Sequence, residues 1–225
     1  MTQAGSSWSA PGTVAGFARA SPNEVLLRFA REERRRAGEG RLLDVGCGAG
    51  RNALPLAREG WQVLGTDLSW PMLRAAAARV DEAGLRERVA LALSPMGHIP
   101  APSRSFDLIV AHGIWNLARS ADEFRGAVAE AARVARPGAG LFVFTFSRHT
   151  LPAEAKPVEE PFVFDQFSGE PQCFLTASQL FSELGAAGFL PDGTVPLTEY
   201  NRPPPGLPIR LGPPVIYEAA FRRLR

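Results

Sequence analysis

The chain has 225 residues, of which 45% are hydrophobic and 21% are charged, and its formal net charge at pH 7 is +2. This size and composition predict one globular domain, and the near-neutral charge argues against nucleic acid as a partner. The two cysteines form no CxxC pair, no apolar run approaches the ~20 residues of a membrane span, and no secretory signal opens the chain. We therefore expect a cytoplasmic protein that makes no contact with a membrane.

The first predicted feature is an N-terminal segment, residues 1–20, that is rich in small residues. Its large side chains are Trp8 and Phe17. Two interpretations are open for it, a flexible tail or a lid whose aromatic rings close over a substrate. A helix is then predicted from Ser21, because a Ser N-cap followed by Pro22 and by Glu24 is a capping-box pattern.

The stretch Leu42–Asp67 predicts a β-α-β unit, since two apolar runs that each reach an acidic residue flank a short amphipathic segment. Between them, glycines alternate in the pattern D-x-G-x-G-x-G, from Asp44 to Gly50. Glycine has no Cβ and tolerates positive φ, so a ligand can approach this backbone closely. Asp67 lies 23 residues after Asp44, where a doubly wound sheet places the acid that binds a ribose diol.

The remaining elements continue an alternation of strands and helices. Helices are predicted to begin at three residues whose side chains suit the N-cap position, Ser69, Ser120 and Thr176. Strands are predicted at Val89–Leu93, Phe106–Ala111, Leu141–Phe146, Val195–Tyr200 and Val215–Phe221. We expect the last two, which a loop at Asn201–Pro214 joins, to form an antiparallel pair.

An insertion at about residues 151–173 interrupts this alternation. It combines several prolines with Phe162, Phe164 and Phe167. A long loop inside a compact domain is usually functional or disordered, and the clustered rings argue against disorder. It is predicted either to close over an acceptor as a lid or to be stapled to the core by its rings.

Several stretches together resemble the class I S-adenosylmethionine-dependent methyltransferases. Leu42–Gly50 resembles the first motif of that family, and Gly65–Ser69 resembles the second. Ser105–Ile109 resembles the entry to its fourth strand, and Arg136–Gly140 the turn before its fifth. Gly50-Arg51-Asn52 is similar to small bacterial members of the tellurite-resistance and ubiquinone-biosynthesis type.

The resemblance implies an α/β fold with a doubly wound, Rossmann-like, seven-stranded sheet and helices on both faces. The sheet is expected to be mostly parallel, with one antiparallel strand near the C-terminus. Residues 21–225 would form a single methyltransferase domain.

The resemblance also implies S-adenosyl-L-methionine as cofactor, with Asp67 as the ribose ligand. The implied cofactor-binding residues are Asp44, Gly46, Cys47, Gly48, Gly50, Asn52, Asp67, Leu68, Met96 and His112. One position departs from the family pattern, because Pro95 stands where an acidic residue usually accepts from the adenine amino group. Met96, a carbonyl, Ser94 or water would then have to serve the adenine.

Methyl transfer depends mainly on holding the acceptor in line and excluding water, and it needs a general base only for a weakly acidic acceptor. His112 is the predicted base, because it follows the fourth strand at the ligand-binding edge. The alternative is that its backbone only lines the methionine end of the cofactor. The predicted acceptor-binding residues are Trp8, Phe17, Trp115 and Phe164. The histidines and cysteines show no metal-ligand spacing, so no metal is expected.

The leading functional hypothesis is therefore methyl transfer to a small-molecule acceptor by a monomer or homodimer. Two alternatives stay open, an RNA methyltransferase and a catalytically silent cofactor-binding protein, the second suggested by Pro95. The sequence reveals neither the acceptor nor the atom that is methylated.

Overall fold

The structure is a computed structural model that describes residues 7–159, 161–202 and 213–225. The helices in these ranges are α1 (Pro11–Arg19), α2 (Glu24–Ala37), α3 (Ala53–Arg58), α4 (Trp70–Glu82), α5 (Ala121–Val134) and α6 (Ala177–Ala186). The first five strands are β1 (Arg41–Val45), β2 (Gln62–Asp67), β3 (Val89–Leu93), β4 (Phe106–His112) and β5 (Ala135–Phe146). The other strands are β6 (Val163–Phe164), β7 (Gln172–Cys173), β8 (Phe189–Pro191), β9 (Thr198–Tyr200) and β10 (Ile216–Arg223).

The main sheet has the order β3-β2-β1-β4-β5-β10-β8, with β9 also paired to β10. Strands β1 to β5 pair in parallel, whereas β10 runs antiparallel to β5, β8 and β9. The predicted doubly wound, mostly parallel sheet with one reversed strand near the C-terminus is therefore confirmed. The strand order reverses direction between the neighbours β1 and β4, and a ligand binds at such a switch point in open α/β sheets.

Within the residues that the structure describes, the main sheet has eight strands rather than the predicted seven. The additional strand is β8, which pairs with the last residues of β10, while β9 pairs with its first residues. Two three-residue strands thus share one long partner. A three-residue strand is too short to show an alternating pattern, which explains why the sequence did not reveal β8.

Helices cover both faces of the sheet, as predicted. One buried cluster joins Leu43, Ile109 and Val143 to the inner faces of α5 and α6. The other joins Leu42, Val110 and Phe142 to α2 and α3. Neighbouring residues of a central strand are thus buried on opposite faces, so these strands read as continuous apolar runs.

The helix starts were mostly predicted correctly. The side chains of Ser69, Ser120 and Thr176 each accept a hydrogen bond from a backbone N–H in the first turn. The prediction for Ser21 was wrong, because α2 begins at Glu24 and Asn23 is its N-cap. Asn and Ser are comparable N-caps, so the local sequence does not decide between the two positions.

The aromatic rings of the insertion are mostly part of the core. Phe162 is fully buried and packs edge-on against Phe124 of α5, with 5.3 Å between ring centroids. Phe164 is buried in a smaller cluster with Leu151 and Phe174. These contacts favour the stapled interpretation of the described parts of the segment, 151–159 and 161–173. In the described part of the chain no helix is long and apolar enough to cross a membrane.

If Phe162 staples the insertion to the core, Phe162→Ala should lower the free energy of unfolding by about 3–5 kcal/mol, since it leaves a cavity beside Phe124. The matched control is Phe167→Ala, whose ring belongs to the same segment and packs edge-on against Phe146 and Phe174 but is 43% exposed, and it should cost roughly 1 kcal/mol. Urea denaturation of the two variants measures both values. Equal losses would contradict the stapled interpretation.

Candidate functional site

The candidate site lies at the carboxyl ends of β1, β2 and β4. The glycine loop follows β1, Asp67 is the last residue of β2, and His112 is the last residue of β4. Parallel strands end at the same edge of the sheet, so the topology brings these three features together.

The three glycines of the loop all have positive φ, +68° at Gly46, +53° at Gly48 and +77° at Gly50. A Cβ at Gly46 would lie 2.8 Å from the side chain of Ile114, and one at Gly50 would lie 2.6 Å from that of Leu54. At Gly48 the nearest atom is 3.6 Å away, on Phe17. The expectation that all three glycines admit a ligand is therefore corrected, because a Cβ at Gly46 or Gly50 would clash with protein. At Gly48 a Cβ would make only ordinary contacts, with Phe17 and with Met72 at 3.9 Å.

The carboxylate of Asp67 ties the glycine loop to the end of β2. One oxygen accepts from the N–H of Gly48 at 2.9 Å, and the other accepts from the N–H of Ser69 at 2.7 Å. Burial raises the pKa of Asp67, although these backbone hydrogen bonds oppose the shift. Each carboxylate oxygen has a further lone pair, so Asp67 can still accept from hydroxyl groups of a ligand.

Asp44 is a buried acid beneath the loop. It is 2% exposed, and its Oδ2 accepts no hydrogen bond within the described residues. Burial raises its pKa to about 7, the charge of Arg51 opposes this rise, and that of Asp67 adds to it. An unpartnered oxygen on a buried carboxyl group marks a place where a cationic ligand group would find an acceptor.

His112 lies in a dense polar cluster and is stacked on Phe144, with ring centroids 4.1 Å apart. Its Nδ1 lies 2.9 Å from Nη2 of Arg51, and its Nε2 lies 3.2 Å from Nδ2 of Asn23. The amide of Asn23 is oriented by two further bonds, because Oδ1 accepts from the N–H of Leu26 and Nδ2 donates to Glu218. Both ring nitrogens therefore face donors.

Burial and the charge of Arg51 lower the pKa of His112 to about 3. A group with so low a pKa takes up a proton poorly near pH 7, and the neighbouring donors already occupy its lone pair. These contacts argue against His112 as a general base. They fit a positioning role, in which the ring holds the guanidinium of Arg51 at the site.

Two of the four predicted acceptor-binding aromatics are buried. Trp115 is buried in the core and packs edge-on against Phe124, and Phe164 is buried beneath the insertion. Sequence alone did not distinguish a pocket wall from a core ring. Phe17 of α1 does lie over Gly48, and it packs edge-on against the exposed Trp8.

Leu68 follows Asp67 in sequence and is 59% exposed, so it presents an apolar surface beside that carboxylate. Met96 is half-buried and packs against the cluster that includes α5 and α6. Ser94 donates from its N–H to the carbonyl of Asp67 and from its hydroxyl to that of His98. Both donors of Ser94 are therefore engaged, and Pro95 is exposed.

Of the remaining predicted cofactor-binding residues, Cys47 and Asn52 form hydrogen bonds within the protein. The N–H of Cys47 donates to the carbonyl of Thr66, and Oδ1 of Asn52 accepts from the N–H of Asn23. Among the described residues no group of three or more His, Cys, Asp or Glu side chains is arranged to hold a metal ion.

Sequence reasoning missed three residues of the His112 cluster: Arg51, Asn23 and Glu218. Glu218 carried a signal, since it is an acidic residue within the apolar run of β10, and it is buried. It accepts from Asn23 at 2.7 Å and from the hydroxyl of Tyr200 at 2.8 Å. A buried acid in a strand needs such partners, and their identity depends on the fold.

Comparison with known proteins agrees with this geometry. A family model described as a methyltransferase domain matches residues 42–138. Methyltransferase GfsG of Streptomyces halstedii is 39% identical over 124 residues, which are 54% of this chain and 44% of that protein. A demethylmenaquinone methyltransferase of Tropheryma whipplei is 30% identical over 168 residues, 68% of this chain and 67% of that protein.

A third relative, 27-O-demethylrifamycin SV methyltransferase of Amycolatopsis mediterranei, is 30% identical over 75% of this chain and 60% of its own length. The chain spans about half the length of methyltransferase GfsG, the first relative named above. Among solved structures, Burkholderia thailandensis 1,6-didemethyltoxoflavin-N1-methyltransferase, with bound 1,6-didemethyltoxoflavin and S-adenosylhomocysteine, has a TM-score of 0.65 at 20% identity. That match covers 90% of this chain and 80% of that one.

The fold and the glycine-loop site define a Rossmann-like domain of the methyltransferase class. By its sequence relatives, the chain belongs to the class I S-adenosylmethionine-dependent methyltransferase family.

The pKa of Asp44 allows a test of the buried acid. Because its folded pKa is about 7 and its ordinary value is 3.8, ionising it costs stability as the pH rises between these values. The wild type should therefore lose free energy of unfolding relative to Asp44→Asn, on the order of 1 kcal/mol per pH unit in that window. Urea denaturation at pH 5 and pH 8 measures the difference, and parallel pH dependences of the two proteins would contradict a buried, protonated Asp44.

Proposed function

We propose that this chain transfers a methyl group from S-adenosylmethionine to a small-molecule acceptor. The observation that carries the proposal is the pairing of Gly48 and Asp67. The N–H of Gly48 donates to the carboxylate of Asp67 at 2.9 Å, and this carboxylate has further lone pairs that can accept from two ribose hydroxyls. The exposed Leu68 beside them offers an apolar surface to the adenine.

Asp44 and Arg51, next to and within the glycine loop, suit the methionyl end of S-adenosylmethionine. The methionyl end of S-adenosylmethionine carries an ammonium and a carboxylate. Asp44 has an unpartnered oxygen for the cation, and Arg51 supplies a positive charge for the anion. The two charges influence each other, so the pair suits a zwitterion better than it suits either ion alone.

S-adenosylmethionine supplies a methyl group on a sulfonium, and the protein's own residues position the reactants and exclude water. Phe17 and α1 would cover the glycine loop in this role, as the lid interpretation of residues 1–20 proposes. Residues 1–6 of that segment fall outside the described residues. His112, stacked on Phe144, would hold Arg51 in place.

The relatives support a small acceptor. Two of them are named for small molecules, demethylmenaquinone and 27-O-demethylrifamycin SV. A relative named as ribosomal RNA small subunit methyltransferase C also matches, at 31% identity over 60% of this chain and 41% of that protein. The near-neutral net charge favours the small acceptor over RNA.

A second candidate function rests on one structural neighbour. The [4+2]-cyclase SpnF has a TM-score of 0.66 at 24% identity, and the match covers 92% of this chain and 85% of that one. A Rossmann-like domain of this kind thus occurs in a protein named for another reaction. A protein that binds S-adenosylmethionine without transferring its methyl group is therefore the alternative to test.

Calorimetry with S-adenosylhomocysteine tests the cofactor site. Asp67→Ala should weaken binding by about 10- to 150-fold, because charge-assisted hydrogen bonds are worth roughly 1.5–3 kcal/mol. The matched control is Asp107→Ala, since Asp107 also accepts from a backbone N–H, that of Arg41, but lies at the start of β4 and not at its end. Its affinity should equal that of the wild type.

Mass-detected methyl transfer to pooled small metabolites and to bulk RNA completes the test. The proposal predicts methylated products among the metabolites. Binding of S-adenosylhomocysteine without any methylated product would favour the silent alternative. Unchanged affinity in Asp67→Ala, or preferential binding of NAD, would contradict the cofactor site itself.

A further inference from the structure

A second polar cluster lies just beyond the carboxyl end of β5, apart from the His112 cluster. Nδ1 of His149 is 2.6 Å from Oε1 of Glu199, and the hydroxyl of Ser147 donates to the same oxygen at 2.6 Å. Ser147 also accepts from the N–H of His149 at 3.1 Å, which fixes the turn that carries the ring. The result is a histidine whose one nitrogen is committed to a carboxylate.

The surroundings keep Glu199 ionised. Burial raises the pKa of Glu199, but the hydrogen bonds from Ser147 and His149 and the charge of Arg202 outweigh it, so the pKa lies below its ordinary value. Arg202 approaches the other oxygen of Glu199 at 3.3 Å. Tyr217 of β10 also contacts Ser147 and Glu199, and burial raises its pKa. An ionised Glu199 holds the imidazole proton on Nδ1, which leaves a lone pair on Nε2.

The position of the ring suits a reacting group. The side chain of His149 is 42% exposed, whereas that of Glu199 is 16% exposed, so the imidazole is the more accessible member of the pair. His112 is in register with Phe144 of β5, and Ser147 follows three residues later. At about 3.3 Å per residue, the cluster lies roughly 10 Å beyond the His112 row along the strand, on the ligand side of the sheet.

We propose that His149, oriented by Glu199, accepts the proton of a hydroxyl group on the methyl acceptor, so that the methylated atom is oxygen. This inference rests on the proposed function. The acceptor oxygen forms a bond to the methyl carbon, the carbon–sulfur bond breaks with its electron pair left on sulfur, and the hydroxyl proton passes to Nε2 and then to water. Hydroxyl groups are weak acids and weak nucleophiles, so they are the acceptors that gain most from a general base.

In this assignment His149 is the catalytic residue, and Glu199 is a positioning residue. The rival explanation is that the cluster is purely structural and only connects β9 to the turn after β5. The two explanations differ in the state of Nε2 of His149, since a structural role does not require an accessible lone pair on that nitrogen.

Nitrogen-15 NMR of the imidazole groups distinguishes these explanations without an acceptor. We expect His149 at pH 8 to carry its proton on Nδ1, and Glu199→Gln to reduce that tautomer's share. The matched control is Glu183→Gln on α6, whose carboxylate is similarly exposed at 17% and pairs with Arg125 of α5. It should leave the His149 signals unchanged. A ring protonated on Nε2 in the wild type would overturn the proposal.

Activity is measured with three probes that share one ring system, 1-naphthol, 1-naphthylamine and 1-naphthalenethiol. We expect methyl transfer to 1-naphthol, a fall in kcat of about 10²-fold or more in His149→Ala with KM little changed, and partial rescue by added imidazole. Glu199→Gln should lower kcat by about tenfold. Affinity for S-adenosylhomocysteine should stay within twofold of the wild type in both variants, and thermal unfolding reports whether each is folded.

The results that would contradict the role of His149 differ from those that would contradict the proposed function. Methylation of the amine or thiol alone, methylation of 1-naphthol that His149→Ala leaves intact, or methylation of none of the probes while S-adenosylhomocysteine still binds would contradict the assignment of His149. Failure of the wild-type protein to bind S-adenosylhomocysteine would instead contradict the proposed function.

Discussion

The carboxylate of Asp67 is the contact on which the rest of the site depends. It accepts the N–H of Gly48 from the loop after β1 and the N–H of Ser69 at the start of α4, so one side chain joins two strand ends and a helix. This arrangement holds the glycine loop in its positive-φ conformation, with Phe17 and Met72 near Gly48. It also places a buried, acceptor-only group where a ligand with two adjacent hydroxyls would meet it.

Neighbouring side chains of a strand point to opposite faces of the sheet, and this alternation places two polar clusters on different faces. His112 and Glu218 lie on the face covered by α2, together with Phe144, and Asn23 links them. Tyr217 lies on the opposite face, within the α5 and α6 cluster, and it contacts the Ser147–Glu199 pair. Because Glu218 and Tyr217 are neighbours on β10, this reversed strand is common to both groups and aligns them along one edge.

Much of the fold follows from local pattern. Apolar runs identified the central strands, and Ser69, Ser120 and Thr176 identified three helix starts, because both signals depend on nearby residues alone. Residues Asp44, Gly48 and Asp67 were placed at one edge by their spacing. The environment of His112 could not be predicted from local sequence, since the residues of its cluster come from opposite ends of the chain. Burial of Trp115 likewise depends on helices that pack only in the folded protein.

We expect the nucleoside to lie against the glycine loop at Gly48, and one pair of substitutions tests that claim. Gly48→Ala adds a methyl group that would lie 3.6 Å from Phe17 and 3.9 Å from Met72 at φ +53°, and Gly84→Ala adds one into open solvent at φ +67° beyond α4. Both carry a similar backbone strain of about 1–2 kcal/mol. Calorimetry with S-adenosylhomocysteine should show at least tenfold weaker binding in Gly48→Ala and wild-type binding in Gly84→Ala. Wild-type affinity in a folded Gly48→Ala protein would contradict the claim.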